Sequence, residues 1–223
     1  MTTPILSCIE IPAPQSAHYS IIWLHGLGAD GHDFEGLAPE LKLKQANHIN
    51  FIFPNAPVQA VTINGGMKMR SWYDILAADL DREVAVDDIY QSAEAINVLI
   101  KQELAKGIKA EHILLAGFSQ GGVIALHAGL RFKQKLAGIV ALSTYLPTIE
   151  QLKTERSIEN NNTPIFMAHG TLDPVVAPST ASNAFKQLQA LDYPISWHEY
   201  PMQHSVCLEE ISDIADFINQ CFK

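Results

Sequence analysis

Cysteine is scarce in this chain. Cys8, Cys207 and Cys221 are an odd number without metal-ligand or redox spacing, which excludes a disulfide framework and suits a reducing compartment. Long apolar runs are missing too: Leu136 to Leu142 falls far short of the roughly 18 residues that a membrane-spanning helix needs. Positive charge is sparse. Lys and Arg number 15 against 24 Asp and Glu, a net charge of −9, and the one local gathering is Arg131, Lys133 and Lys135. That leaves no electrostatic footprint for nucleic acid or an anionic membrane surface. The small cluster reads as a solvated helix end, where positive charge offsets the helix dipole. The first basic residue is Lys42, so the positive region of a secretory signal is lacking and a cytoplasmic setting is expected. None of the nine histidines lies in H-E-x-x-H, which argues against metal hydrolysis.

What the chain does have is apolar material, 48% of 223 residues, enough for a substantial core. Without an internal repeat, low-complexity tract or linker, residues 1–223 are expected to form one domain. Short β-branched runs recur at Ser20 to Leu24, Asn50 to Phe53, His112 to Phe118, Leu136 to Leu142, Pro164 to His169 and Ile195 to Tyr200, as in strands buried on both faces. Helical periodicity lies between them. Ile89, Ala93, Ile96 and Ile100 predict a helix from about Asp81 to Lys106, ended by Gly107. Ala181, Phe185, Leu188 and Leu191 follow Ser179 as N-cap, and Ile211, Ile214, Ala215, Ile218 and Phe222 mark the last helix. Single strands alternating with single helices imply an α/β fold, a mostly parallel sheet covered by helices on both faces. Function is then expected at the carboxyl ends of the strands.

The stretch from Pro54 to Asp74 breaks the pattern. It carries Pro54, Pro57, Asn64, Gly65 and Gly66, with Ile63, Met67 and Met69, and has no clear period. It reads either as a substrate-lining loop or as a decorated turn packed on the core.

Gly117-Phe118-Ser119-Gln120-Gly121 fits G-x-S-x-G in the context that gives the motif meaning, with a strand before it and a helix, Gly122 to Ala128, after it. Small residues at 117 and 121 relieve crowding in a sharp turn that projects the Ser119 hydroxyl from the sheet edge. A serine hydroxyl near neutral pH needs a base. In chain order after Ser119 come His127, inside the following helix; His169, at a strand end; His198, in mid-strand; and His204, in the loop after the last strand. His204 stands at the required edge. Asp173, just beyond the strand Pro164 to Ala168, is favoured as its orienting acid over Asp192, which sits at a helix end. The oxyanion needs two preset donors: the backbone amides of Gln120 and of Leu27, in the Gly-rich loop after an early strand.

Taken in order, Leu24-His25-Gly26-Leu27-Gly28, Asn64-Gly65-Gly66, Trp72-Tyr73-Asp74, Gly117 to Gly122, Ala141-Leu142-Ser143, His169-Gly170 with Asp173, and His204-Ser205-Val206 resemble the acyl-protein thioesterase and phospholipase/carboxylesterase branch of the α/β-hydrolases. The resemblance spans residues 20 to 210. It implies an α/β-hydrolase fold without a large lid domain, and a serine esterase or thioesterase, of carboxylesterase or lysophospholipase type, that needs no metal or cofactor. By motif, Ser119 is nucleophile, His204 base and Asp173 its orienter, with the amides of Leu27 and Gln120 as oxyanion donors. Ile63, Met67, Met69, Trp72, Tyr145 and Val176 are the expected lining of an acyl groove. Departures from the common pattern are Gln203 where Gly often precedes the histidine, Tyr145 where Trp is frequent, and Ala177 where Pro is frequent. The substrate is then an ester or thioester with an acyl chain. Brief contact with a membrane or a lipidated protein, and a homodimer, are left open. The competing readings are a small-ester or peptidase-like hydrolase and a non-catalytic binding protein on the same fold.

Overall fold

In the computed structural model, residues 5–77 and 83–222 are described. In chain order the elements are β1 (Cys8–Ile11), β2 (Tyr19–Leu24), α1 (His32–Glu35), α2 (Leu37–Glu40), β3 (Ile49–Pro54), β4 (Val58–Val61), β5 (Met67–Arg70), α3 (Val86–Ala105), β6 (Ile113–Phe118), α4 (Gln120–Gly129), β7 (Gly138–Leu142), α5 (Ile149–Glu155), β8 (Ile165–Gly170), α6 (Pro178–Ala190), β9 (Ile195–Tyr200) and α7 (Leu208–Cys221). Seven strands form one sheet in the order β1-β3-β2-β6-β7-β8-β9, parallel throughout except where β1 runs antiparallel to β3.

The six expected strands are the six parallel ones, each within two residues of the expected bounds. Their side chains alternate between two cores. On β2, Ile22 and Leu24 face one side, with Ile89, Ile96 and Ile100 of α3, Val123 of α4 and Leu188 of α6. Ile21 and Trp23 face the other, with Phe34, Leu37 and Ile214 and Ile218 of α7. Each such fully buried aliphatic side chain contributes roughly 1.5–3 kcal/mol, so both faces are strongly held.

Four expectations need adjustment. The stretch from 54 to 74 is a two-stranded antiparallel hairpin, β4 and β5, turned at Gly65 (φ +66°) and Gly66 (φ +77°). The start expected for α3 at Asp81 lies outside the described residues, and the helix begins at Val86 after Val84 bridges to Ile75. Its end is as expected, with Gly107 at φ +94° just beyond. Ser179 is not the N-cap of α6: Ala177 holds that place and Pro178, with φ already fixed, opens the helix. Arg131 is not merely solvated, for its guanidinium lies 2.8 Å from Glu155 and donates to the carbonyls of His127 and Thr148.

Register brings the strand ends together. Leu24 pairs with Gly117, Phe118 with Leu142, Leu142 with Ala168 and Gly170 with Tyr200, so the loops after β2, β6, β8 and β9 open on one edge.

Candidate active site

Ser119 sits between β6 and α4 at φ +55°, ψ −119°, a conformation costly for a residue with a Cβ. The surroundings enforce it. The Ser119 amide donates to Leu142 O at 2.8 Å, and its carbonyl accepts from the Thr144 hydroxyl at 2.7 Å and the Gly122 amide at 3.0 Å. A Cβ on Gly121 would lie 2.4 Å from Leu24 O, so only glycine lets α4 start this close to β2.

Across the edge, His204 Nδ1 donates to Asp173 Oδ2 at 2.7 Å. The other oxygen, Oδ1, accepts the amides of Val175 at 2.8 Å and Val176 at 2.9 Å. Three donors fix a carboxylate buried in the protein, and the hydrogen bond on Nδ1 leaves Nε2 of His204 as the basic nitrogen. His204 and Ser119 line one cavity of about 260 Å³. They share no hydrogen bond of standard geometry, a link that commonly tightens only when substrate binds.

Leu27 and Gln120 line the same cavity. Neither backbone N–H donates to a protein acceptor among the described residues, and that of Gln120 is at the positive end of α4. The loop carrying Leu27 is braced. His25 Nδ1 donates to Gly26 O at 2.6 Å while its Nε2 accepts the Ala56 amide at 3.1 Å, and burial pushes this imidazole down, keeping it neutral. The Trp72 indole donates to His25 O, and the Gly28 amide to Arg70 O. The Gln120 side chain, expected only for its backbone, anchors the turn as well: its oxygen accepts the Trp72 amide at 3.0 Å and its nitrogen donates to Tyr73 O at 2.8 Å.

Of the expected acyl-groove residues, Ile63 and Tyr145 line the cavity. Trp72 and Val176 do not: both are buried, Trp72 bonded to the His25 loop and Val176 to Asp173 and His169. Their sequence neighbours Tyr73 and Val175 take those places, and the Tyr73 hydroxyl donates to that of Tyr145 at 3.1 Å. Met67 stands 64% exposed on the hairpin, outside the cavity lining. Met69 is also outside it, its sulfur near Gly28 and accepting from the side-chain Nδ2 of Asn64.

The remaining histidines have other employment. His127 is buried against the Thr148 hydroxyl with its pKa pushed down to about 3 by burial, the Arg131 charge adding. His169 is buried beside Asp173, donating Nε2–H to Val176 O, and burial pushes its pKa down. His198 stacks on Phe166. Asp192 is exposed at the end of α6, away from this edge. Among the described residues no three His, Cys, Asp or Glu side chains gather as metal ligands, and no helix is long and apolar enough to cross a membrane.

The hydroxyl, imidazole, carboxylate and paired amides at one strand edge are suited to attack on an acyl carbonyl. Comparison with known proteins agrees. The profile of the phospholipase/carboxylesterase family matches residues 6–222. Acyl-protein thioesterase 1 of Yarrowia lipolytica is 37% identical over 225 residues, 99% of each chain. The enzyme of that name from Saccharomyces cerevisiae is 40% identical over 214 residues, 92% of this chain and 94% of that one. Among solved structures, SOBER1 of Arabidopsis thaliana superposes with a TM-score of 0.88 at 29% identity, over 93% of this chain and 100% of its own. Acyl-protein thioesterase 2 of Zea mays does so at 0.86 and 25%, over 97% and 99%.

Proposed function

Since the chain belongs to the phospholipase/carboxylesterase family of α/β-hydrolases, we propose that its cleavage of carboxylic esters and thioesters runs through an acyl-enzyme on Ser119. The observation that carries this reading is the 2.7 Å bond from His204 to an Asp173 held by two amides, with Ser119 and His204 in one cavity. His204 Nε2 takes the Ser119 proton as the oxygen bonds to the acyl carbon. The developing oxyanion is held by the amides of Leu27 and Gln120. Collapse breaks the bond to the leaving oxygen or sulfur, which receives the proton from His204. Water, deprotonated by His204, then releases the acid and restores the serine.

A thiol leaves with a conjugate-acid pKa of roughly 8.5, so thioester cleavage leans less on proton donation than alcohol release does. Because the curated relatives are named acyl-protein thioesterases, the substrate we favour is a thioester-linked acyl chain on a protein, in a reducing, cytoplasmic setting. Cys8, Cys207 and Cys221 form no disulfide, which suits that setting. We propose that the whole chain acts as one domain.

The test is covalent labelling with a fluorophosphonate, alongside hydrolysis of a palmitoyl-thioester peptide, a lysophospholipid and short p-nitrophenyl esters. Wild type is expected to label and to cleave the thioester; Ser119→Ala is expected to lose both. Labelling retained in the variant removes Ser119 from the mechanism.

A further inference from the structure

The cavity that holds Ser119 and His204 is lined almost wholly by uncharged groups. Among the described residues, Asp33 is the one lining side chain with a fixed charge. Its carboxylate accepts no hydrogen bond and forms no ion pair among them, whereas its acidic neighbours are engaged: Asp30 accepts the His32 amide at 2.9 Å, and Glu35 lies 2.7 Å from the His32 imidazole. Although the residue is exposed, desolvation by its neighbours, with repulsion from Asp30, pushes the Asp33 carboxyl up.

Asp33 itself is exposed where it lines the cavity, and ring contacts place its helix, α1, on the His204 side. The Phe118 ring lies 4.7 Å from that of His204 and 5.8 Å from that of Phe34, the residue next to Asp33 in α1. His204 must face the departing atom in order to protonate it, so the Phe118–Phe34 side is the leaving-group side. The Tyr73–Tyr145 pair and Ile63 then border the acyl chain.

Resting on the hydrolase reading above, we infer that Asp33 is a specificity-determining residue that favours leaving groups bearing a positive charge, namely peptide thiols flanked by Lys or Arg. A lysophospholipid headgroup fits less well, because it brings a phosphate close to the scissile ester, where Asp33 repels it. The net charge of −9 draws cations to the whole molecule, but a charge on the cavity wall acts selectively on the bound leaving group.

The test uses three peptides bearing one octanoyl thioester on Cys, with Lys, Gln or Glu on both sides, assayed for kcat/KM in wild type, Asp33→Asn and Glu111→Gln. Glu111 is an exposed acid just before β6, at the opposite sheet edge, so its variant makes the same change in net charge far from the cavity. Wild type and Glu111→Gln are expected to prefer the Lys peptide over the Gln peptide by about threefold or more at low salt, falling toward unity near 1 M salt. In Asp33→Asn the ratio of the Lys-peptide rate to the Gln-peptide rate should collapse toward unity at low salt. A Lys preference that survives in Asp33→Asn, or is absent from wild type, overturns the inference. Hydrolysis of the Gln peptide and labelling of Ser119 report on the hydrolase reading separately, so loss of those signals a failure of that reading instead.

Discussion

A methyl group on Gly117 would lie 2.2 Å from the carbonyl oxygen of Gly121, the other glycine of the serine turn. Both atoms in that contact belong to, or are fixed by, backbone, so no flexible side chain can yield. Gly117→Ala must push α4 away from β6, and with it Ser119, whose positive φ depends on the same packing. A loss of about 3 kcal/mol or more in unfolding free energy is expected, at the upper end of overpacking costs. Any folded fraction should label poorly with a fluorophosphonate. Chemical denaturation settles the matter: a variant of wild-type stability would mean that the turn relaxes freely.

Asp173 gives one oxygen to two backbone amides and the other to His204. Asparagine is nearly isosteric, but its amide can present N–H to Nδ1, which favours the tautomer that protonates Nε2 and abolishes the base. By analogy with serine proteases, kcat for Asp173→Asn is expected to fall on the order of 10⁴-fold. Thioester and oxyester substrates should both suffer, because attack by Ser119 precedes the step at which they differ. A rate within tenfold of wild type would point to another acid.

These residues differ in how far the sequence announced them. Five of the six parallel strands were legible because burial on both faces leaves nearly continuous apolar runs. The edge strand β9, ISWHEY, is only partly buried and stood out by its β-branched and aromatic residues. The ends of these strands carried Ser119, Asp173 and His204 into loops at one edge. The short edge strand β1 and the exposed hairpin β4–β5 bury too little to leave such a trace. Trp72 and Val176 were one residue away from Tyr73 and Val175, because both pairs lie in irregular bends, where no periodicity says which of two neighbours turns to the cavity. No local signal marks the Thr144 hydroxyl or the Gln120 side chain as anchors, for their partners are distant in sequence.

The corrected lining separates two apolar residues of the hairpin region. Ile63 lines the cavity, whereas Met67 stands outside it and largely in solvent. Burying one methylene is worth about 0.8 kcal/mol, and Ile63 is itself partly exposed, so Ile63→Ala should lower kcat/KM on p-nitrophenyl octanoate by roughly threefold to tenfold while sparing the acetate. Met67→Ala should stay within twofold on both. Equal profiles for the two variants would place the acyl chain elsewhere.

Glu210, in the first turn of α7 beyond the His204 loop, is fully buried, and neither of its oxygens makes a hydrogen bond of standard geometry. Burial pushes its carboxyl from 4.5 up to about 8, with repulsion from Asp213 adding and the Cys207 backbone only partly offsetting. The native state thus keeps a proton that the unfolded chain releases, and stability falls as pH rises from about 4.5 to about 8. His127 has the opposite sign: its folded pKa of about 3 makes stability rise with pH between there and 6.5. Comparing wild type with Glu210→Gln cancels that contribution, since only the first group differs. The variant should gain on wild type as pH increases, by on the order of 3 kcal/mol between pH 5 and pH 8, because glutamine stays neutral in both states. Urea denaturation across that range is the measurement, and stability curves that run parallel would show that Glu210 ionises in the folded protein as freely as in the unfolded chain.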